Sequence, residues 1–147
     1  MGIDALPRSL LIALGVQLCC QGIKFASHSI RIGRPSWKHL VTFGGMPSAH
    51  SAFVTALAVC IGTFDGFTSD LFALATVFGT IVIFDAYKLR GNVQKQALVL
   101  NRLQAKALPE DQRVEINEMV GHTLPEIAAG IALAVAVATP LALWWKV

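Results

Sequence analysis

Two histidines stand next to residues that could make them react. Gly44-Gly45-Met46-Pro47-Ser48-Ala49-His50-Ser51 leads directly into a clean apolar stretch. Proline is favoured at the first position of a helix. The free N–H groups of a helix start, together with its dipole, make a ready site for an anion. Ser48 adds a hydroxyl donor, and the small Ala49 lets an anion approach the backbone closely. His50 adds an imidazole that can give or take a proton near neutral pH. The same residues are also compatible with a plain Ser-capped helix.

The second block is Gly121-His122-Thr123-Leu124-Pro125-Glu126. His122 and Glu126 are four apart, so on a helix they share a face. A carboxylate bonded to one ring nitrogen fixes the tautomer and leaves the other nitrogen free as nucleophile or base. Thr123 and Glu126 also fit a capping box, in which Glu126 turns back to the backbone. The residues alone leave both readings open.

A third group, Asp85, Lys88 and Arg90, closes an apolar run. Ionisable groups beside a membrane span usually face a polar site or one another, and Arg suits bidentate recognition of phosphate. Lys24 is expected to end the first helix, as an anchor or as an anion ligand. Two imidazoles, a carboxylate, an anion nest and several cations are the parts needed for phosphoryl transfer through a phosphohistidine. Lys and Arg can neutralise the phosphoryl oxygens without a metal, so no metal and no cofactor is expected.

Apolar runs must carry these groups. They extend from Pro7 to Ile23, Met46 to Phe64, Leu71 to Phe84 and Leu124 to Trp145. A helix of ~17–25 residues crosses a hydrocarbon core, so an all-α membrane bundle of about four spans is predicted, as one domain over residues 1–147. Val93 to Leu108 reads as an amphipathic connecting helix, stopped by Pro109. The composition agrees: 54% of the 147 residues are hydrophobic, only 14% are charged, and mean hydropathy is +0.60. That charge content is too low for an ordinary soluble domain or a disordered chain. The net charge of +3 is mild, and no nucleic-acid partner is expected. Cys19, Cys20 and Cys60 lack metal-ligand spacing and read as core residues. Cations gather in the first connection (Lys24, Arg31, Arg34, Lys38) and the third (Lys88 to Arg113), which lie on the same side of a four-span protein. The positive-inside rule puts that side, and the site, in the cytoplasm.

The Gly44–Ser51 block, then Asp85-Ala86 with Arg90 and Lys95-Gln96-Ala97, then Gly121-His122 with Pro125-Glu126, resembles the divergent type-2 phosphatidic acid phosphatase family. That family is related to acid phosphatases and vanadium-dependent haloperoxidases. The resemblance extends from about Gln17 to Gly130. It implies His122 as nucleophile, Glu126 as its orienting carboxylate in place of Asp, and His50 as general acid and then base. It also implies phosphate ligands at Ser48, the N–H of Ala49, Lys24 and an Arg. Ala49 stands where the family has Gly. Arg31 has the family's gap from Lys24 but no following Pro; Arg34-Pro35 has the dipeptide but a longer gap. Ile116 stands where the third block has its Arg, and Arg90 is the expected substitute.

The expectation is therefore a metal-independent, vanadate-sensitive integral-membrane phosphatase. Its substrate would be a lipid phosphomonoester, such as phosphatidylglycerophosphate or phosphatidic acid, or a lipid pyrophosphate. The alternative is a non-catalytic membrane protein that binds anionic lipid or serves as an assembly subunit. Four short spans leave little protein to shield a polar site, which allows for a homodimer.

Overall fold

The computed structural model describes residues 6–35 and 45–146. Among these residues the five α-helices are α1 (Arg8–Ile32), α2 (Ala49–Asp65), α3 (Asp70–Phe84), α4 (Arg90–Ala107) and α5 (Leu124–Lys146). No strand occurs among the described residues. Four of the helices are apolar. Three segments, Arg8–Ile32, Asp70–Ala107 and Leu124–Lys146, are long and apolar enough to cross a membrane. At 17 residues, α2 sits at the short end of that range. The all-α membrane bundle read from the sequence is the observed architecture.

α2 occupies the centre, packed against α1, α3 and α5. It runs parallel to α5, because Ser48 N–H bonds Glu126 O at one end and Lys146 Nζ bonds Thr63 O at the other. The α2–α5 seam is made of small residues. Gly130, Ala134, Ala138 and Ala142 recur every fourth position on α5 and are buried, facing Ala49, Ala52, Ala56 and Cys60 of α2. Small residues let backbones approach closely, and in lipid such packing replaces the hydrophobic drive between helices. A Cβ at Gly130 would collide with the carbonyl oxygen and hydroxyl of Ser48 and Ser51 respectively. The outside is greasy: Leu74, Phe78, Ile81 and Phe84 form an exposed stripe on α3. In water this patch would be a liability; against lipid it is the expected surface.

Three sequence expectations change. Lys24 does not end the first helix: α1 continues two turns further, to Ile32, and stops at Gly33 with φ 72° in the left-handed cap region. Pro47 is not the first helical residue. Ser48 is the N-cap of α2, so the proline lies outside the helix. The connecting helix is not separate either: α3 continues into α4 through one π turn, Asp85–Leu89, giving 38 helical residues without a break. Leu108 leaves the helix in an extended conformation just before Pro109, as expected for a residue preceding proline. Gly44, Lys38 and His39 lie outside the described residues.

The return from α4 is held by amide side chains. Asn101 bonds both the N–H and the C=O of Ile116, and Gln104 does the same for Val114. Each amide copies the donor–acceptor pair of a neighbouring strand. Together they bind an extended segment to α4 and bring it back to the start of α5.

Candidate functional site

Most of the sequence-derived residues, Arg31 and Arg34 excepted, come together at one end of the bundle, where α1, α2, α3 and α5 meet. His122 precedes α5 and is 4% exposed. Its backbone N–H bonds Ala86 O at 3.1 Å. That carbonyl is available because of the π turn: Arg90 N–H reaches back five residues to Asp85 O, not four to Ala86 O. The preceding Gly121 N–H bonds Gln94 Oε1 at 3.2 Å, and a Cβ on Gly121 would come within 2.9 Å of Gly91 Cα. Backbone contacts to the α3–α4 helix thus fix the nucleophile candidate.

The side chain is fixed separately. His122 Nδ1 lies 3.1 Å from Glu126 Oε2, and the same oxygen accepts Thr123 N–H at 3.1 Å. The two readings of Glu126 are therefore not exclusive. One carboxylate oxygen caps the helix and holds the imidazole. With Nδ1 as donor to Glu126, Nε2 carries the lone pair. Nε2 is buried and has no hydrogen-bond partner among the described residues. Burial pulls the His122 imidazole below the usual histidine range, and the positive charges of Lys24 and Arg90 act in the same direction. The Glu126 hydrogen bond opposes burial and is second to it in size.

His50 lies in the first turn of α2. Its ring centroid is 5.7 Å from that of His122, at an interplanar angle of 63°. Its Nδ1 is also buried without a partner among the described residues. The turn carrying it is stitched to α5. Ser48 N–H bonds Glu126 O at 2.9 Å; Ser51 Oγ bonds Ile127 O at 3.2 Å and Ser48 O at 3.1 Å. Ser48 Oγ accepts from Ser51 N at 3.4 Å, which leaves the hydroxyl proton available for donation. Ala49 is buried beside it, and its N–H belongs to the first helical turn, which has no intrahelical acceptor.

Lys24 is 7% exposed and points into the bundle. It is within electrostatic reach of His50, His122 and Glu126. Its fit is that of a buried charge beside a polar site and not of a lipid anchor. Arg90 acts on both imidazoles, and its Nε bonds Asp85 Oδ2 at 2.9 Å. Arg31 and Arg34 lie exposed at the end of α1 and just beyond it. Neither makes a hydrogen bond to a site residue among the described residues. Ile116 sits on the extended segment bound to Asn101. Lys24 and Arg90 are thus the two cations gathered with the imidazoles.

The sequence reasoning missed Ser51, Gln94 and the carbonyl of Ala86. Ser51, three residues after an N-cap Ser, carries a weak signal. Gln94 and Ala86 carry none, since their role depends on the π turn. Among the described residues no three His, Cys, Asp or Glu side chains gather to hold a metal.

An open cleft of about 590 Å³ adjoins His122 and Glu126. It lies between the α3–α4 helix and the segment leading into α5, and Tyr87, Lys88, Asn92 and Lys95 line it.

The sequence pattern of the Divergent PAP2 family matches residues 7–137. An uncharacterised membrane protein, YuiD, of Bacillus subtilis (strain 168) is 33% identical over 134 residues, which cover 82% of this chain and 85% of that protein. No solved structure matches the chain. The family match covers most of the bundle and both histidine blocks, and this chain is a membrane protein of the Divergent PAP2 family.

Proposed function

We propose that this protein is an integral-membrane phosphatase that removes a phosphoryl group from a lipid phosphomonoester or lipid pyrophosphate, with His122 as nucleophile. One observation carries the reading. His122 holds its Nδ1 on Glu126 and leaves Nε2 buried and unpartnered, with a second imidazole 5.7 Å away between ring centroids. A core histidine kept for packing would have its polar atoms satisfied.

In the proposed reaction the Nε2 lone pair attacks phosphorus while the bond to the lipid oxygen breaks. His50, protonated, gives its proton to the leaving oxygen and releases the lipid alcohol, or the lipid monophosphate if the substrate is a pyrophosphate. His50, now neutral, takes a proton from water. The hydroxide attacks phosphorus, the N–P bond breaks, and inorganic phosphate leaves with His122 restored. Glu126 holds the tautomer and stabilises the charged ring. Lys24, Arg90, the Ser48 hydroxyl and the Ala49 N–H take the phosphoryl oxygens. The apolar body keeps this site at headgroup level, so the acyl chains remain in the bilayer. The charge bias of the connections favours a site on the cytoplasmic face.

The test is chemical. Detergent-solubilised protein is mixed with lipid substrates labelled in the terminal phosphate, and the reaction is quenched in alkali. An acid-labile, alkali-stable label on the wild-type chain, lost in His122→Ala, supports the reading. Phosphate release by His122→Ala at the wild-type rate overturns it. Binding of anionic lipid without any release favours a non-catalytic lipid binder.

A further inference from the structure

The cleft beside His122 is larger than one phosphate needs, and it is positively charged. Its lining includes Lys88 and Lys95 from one side of the continuous α3–α4 helix, with Asn92 between them. Of its charged residues only Glu126 is acidic, and that carboxylate is engaged by His122 and Thr123. Lys88 Nζ lies 5.0 Å from the ring centre of Tyr87, which biases the ammonium towards the cleft wall. Neither lysine forms an ion pair among the described residues, whereas the neighbouring Arg90 is tied to Asp85. His122 borders the cleft through its backbone, its imidazole being fully buried behind that wall, so a group held there would lie beside the transferred phosphate and belong to the same substrate.

Resting on the phosphatase reading above, we infer that Lys88 and Lys95 form a subsite for a second phosphate of the substrate, next to the one transferred to His122. The preferred lipid then carries two phosphates. They could be joined directly, as in a lipid pyrophosphate, or through a short polyol, as in a lipid whose glycerol headgroup ends in a phosphomonoester. Phosphatidic acid, with its single phosphate attached to diacylglycerol, would leave the cleft without an anion. Asn92 is placed to donate to the bridging oxygens or hydroxyls of such a headgroup.

The experiment measures kcat/KM in neutral detergent micelles for three lipids: phosphatidic acid, a polyprenyl pyrophosphate and phosphatidylglycerophosphate. It compares the wild type with the Lys88→Gln/Lys95→Gln double variant. The wild type should favour at least one two-phosphate lipid over phosphatidic acid. The variant should lose about tenfold on that lipid, as expected for two exposed charge-assisted contacts, and hold its rate on phosphatidic acid. The two-phosphate lipid that loses most identifies the linkage. Equal loss on all three lipids, which is the outcome for lysines that only anchor the protein at the micelle surface, overturns the subsite. So does a wild type that prefers phosphatidic acid. A wild type that hydrolyses none of the three overturns the phosphatase reading instead, and the two failures are thereby separate.

Discussion

The two ends of the bundle are built from the same materials and finished differently. At the far end, Lys146 Nζ bonds Thr63 O, Thr63 Oγ1 bonds Val59 O, Arg8 Nη1 bonds Trp145 O, and Ser69 closes the turn into α3 through Gly66 O and Phe72 N–H. The polar side chains there close on nearby backbone groups. At the site end, His122 Nε2 and His50 Nδ1 stay buried and unpartnered among the described residues. A buried polar atom without a partner costs about 1–3 kcal/mol. The far end shows that this fold can close its polar groups at a helix terminus. Leaving them open at the other end is a local choice, and it falls where the starts of α2 and α5 meet the π turn.

The largest test of this contrast is a pair of truncations. His122→Ala should lower phosphate release by about six orders of magnitude, as loss of a nucleophile does. Lys146→Ala should leave turnover near wild type and cost about 1 kcal/mol of stability, a single hydrogen bond. Release assays and thermal unfolding in detergent read the two. Comparable loss of turnover in both variants would mean that the site end has no special role.

Next in size is Glu126→Gln. The amide still reaches Thr123 N–H, but it cannot stabilise a charged imidazole. Turnover should fall by about four orders of magnitude with KM changed far less. A rise in KM alone would move Glu126 from the nucleophile to substrate binding.

Gly130→Ala probes the seam joining the ends. The new Cβ meets Ser48 and Ser51, the residues that frame His50. Forcing them apart should cost about 1–3 kcal/mol and lower turnover as well. Ala134→Gly, further along the same seam, should loosen packing and affect turnover less.

The smallest effect is on pH. Burial lowers the His122 pKa below the ordinary imidazole value of about 6.5. On the proposed reading His122 must be neutral to attack, so the loss of kcat/KM attributable to it should begin only below that value. Stability follows the same sign: the unfolded chain binds the proton more readily, so His122 favours folding above its unfolded pKa and loses that contribution as pH falls through the folded one. Glu126→Gln removes the interaction that raises the pKa and should shift the acid limb lower still. An upward move in this variant would contradict Glu126 as the group that raises the pKa, and a wild-type limb above about 6.5 would contradict burial as the dominant cause.

What the sequence made legible follows from local chemistry. The i, i+4 spacing of His122 and Glu126 and the residues flanking Ser48 are short-range patterns, and the structure places them where helix geometry requires. The apolar runs gave four packed helices, because hydropathy is read directly by the bilayer. The rest was hidden for different reasons. Lys24 interrupts an apolar run and so marks a helix end by hydropathy alone, yet a buried site can accept a lysine within a span. The continuity of α3 and α4 was hidden because polarity changes across it while helical geometry does not. Arg31 and Arg34 matched a linear pattern, but it is Lys24 and Arg90 that lie beside the imidazoles. The π turn has no sequence signature, and Ala86 and Arg90 owe their roles to it.

That turn sets the rotational phase of everything after it. One residue deleted between Asp85 and Leu89 would restore an ordinary helix and rotate the downstream positions by about 100°. The carbonyl that holds His122 would be taken back by its own helix, and the guanidinium would swing to another face. Shortening the chain here by one position should therefore do more harm than replacing any single side chain in the turn, with composition and hydropathy almost unchanged.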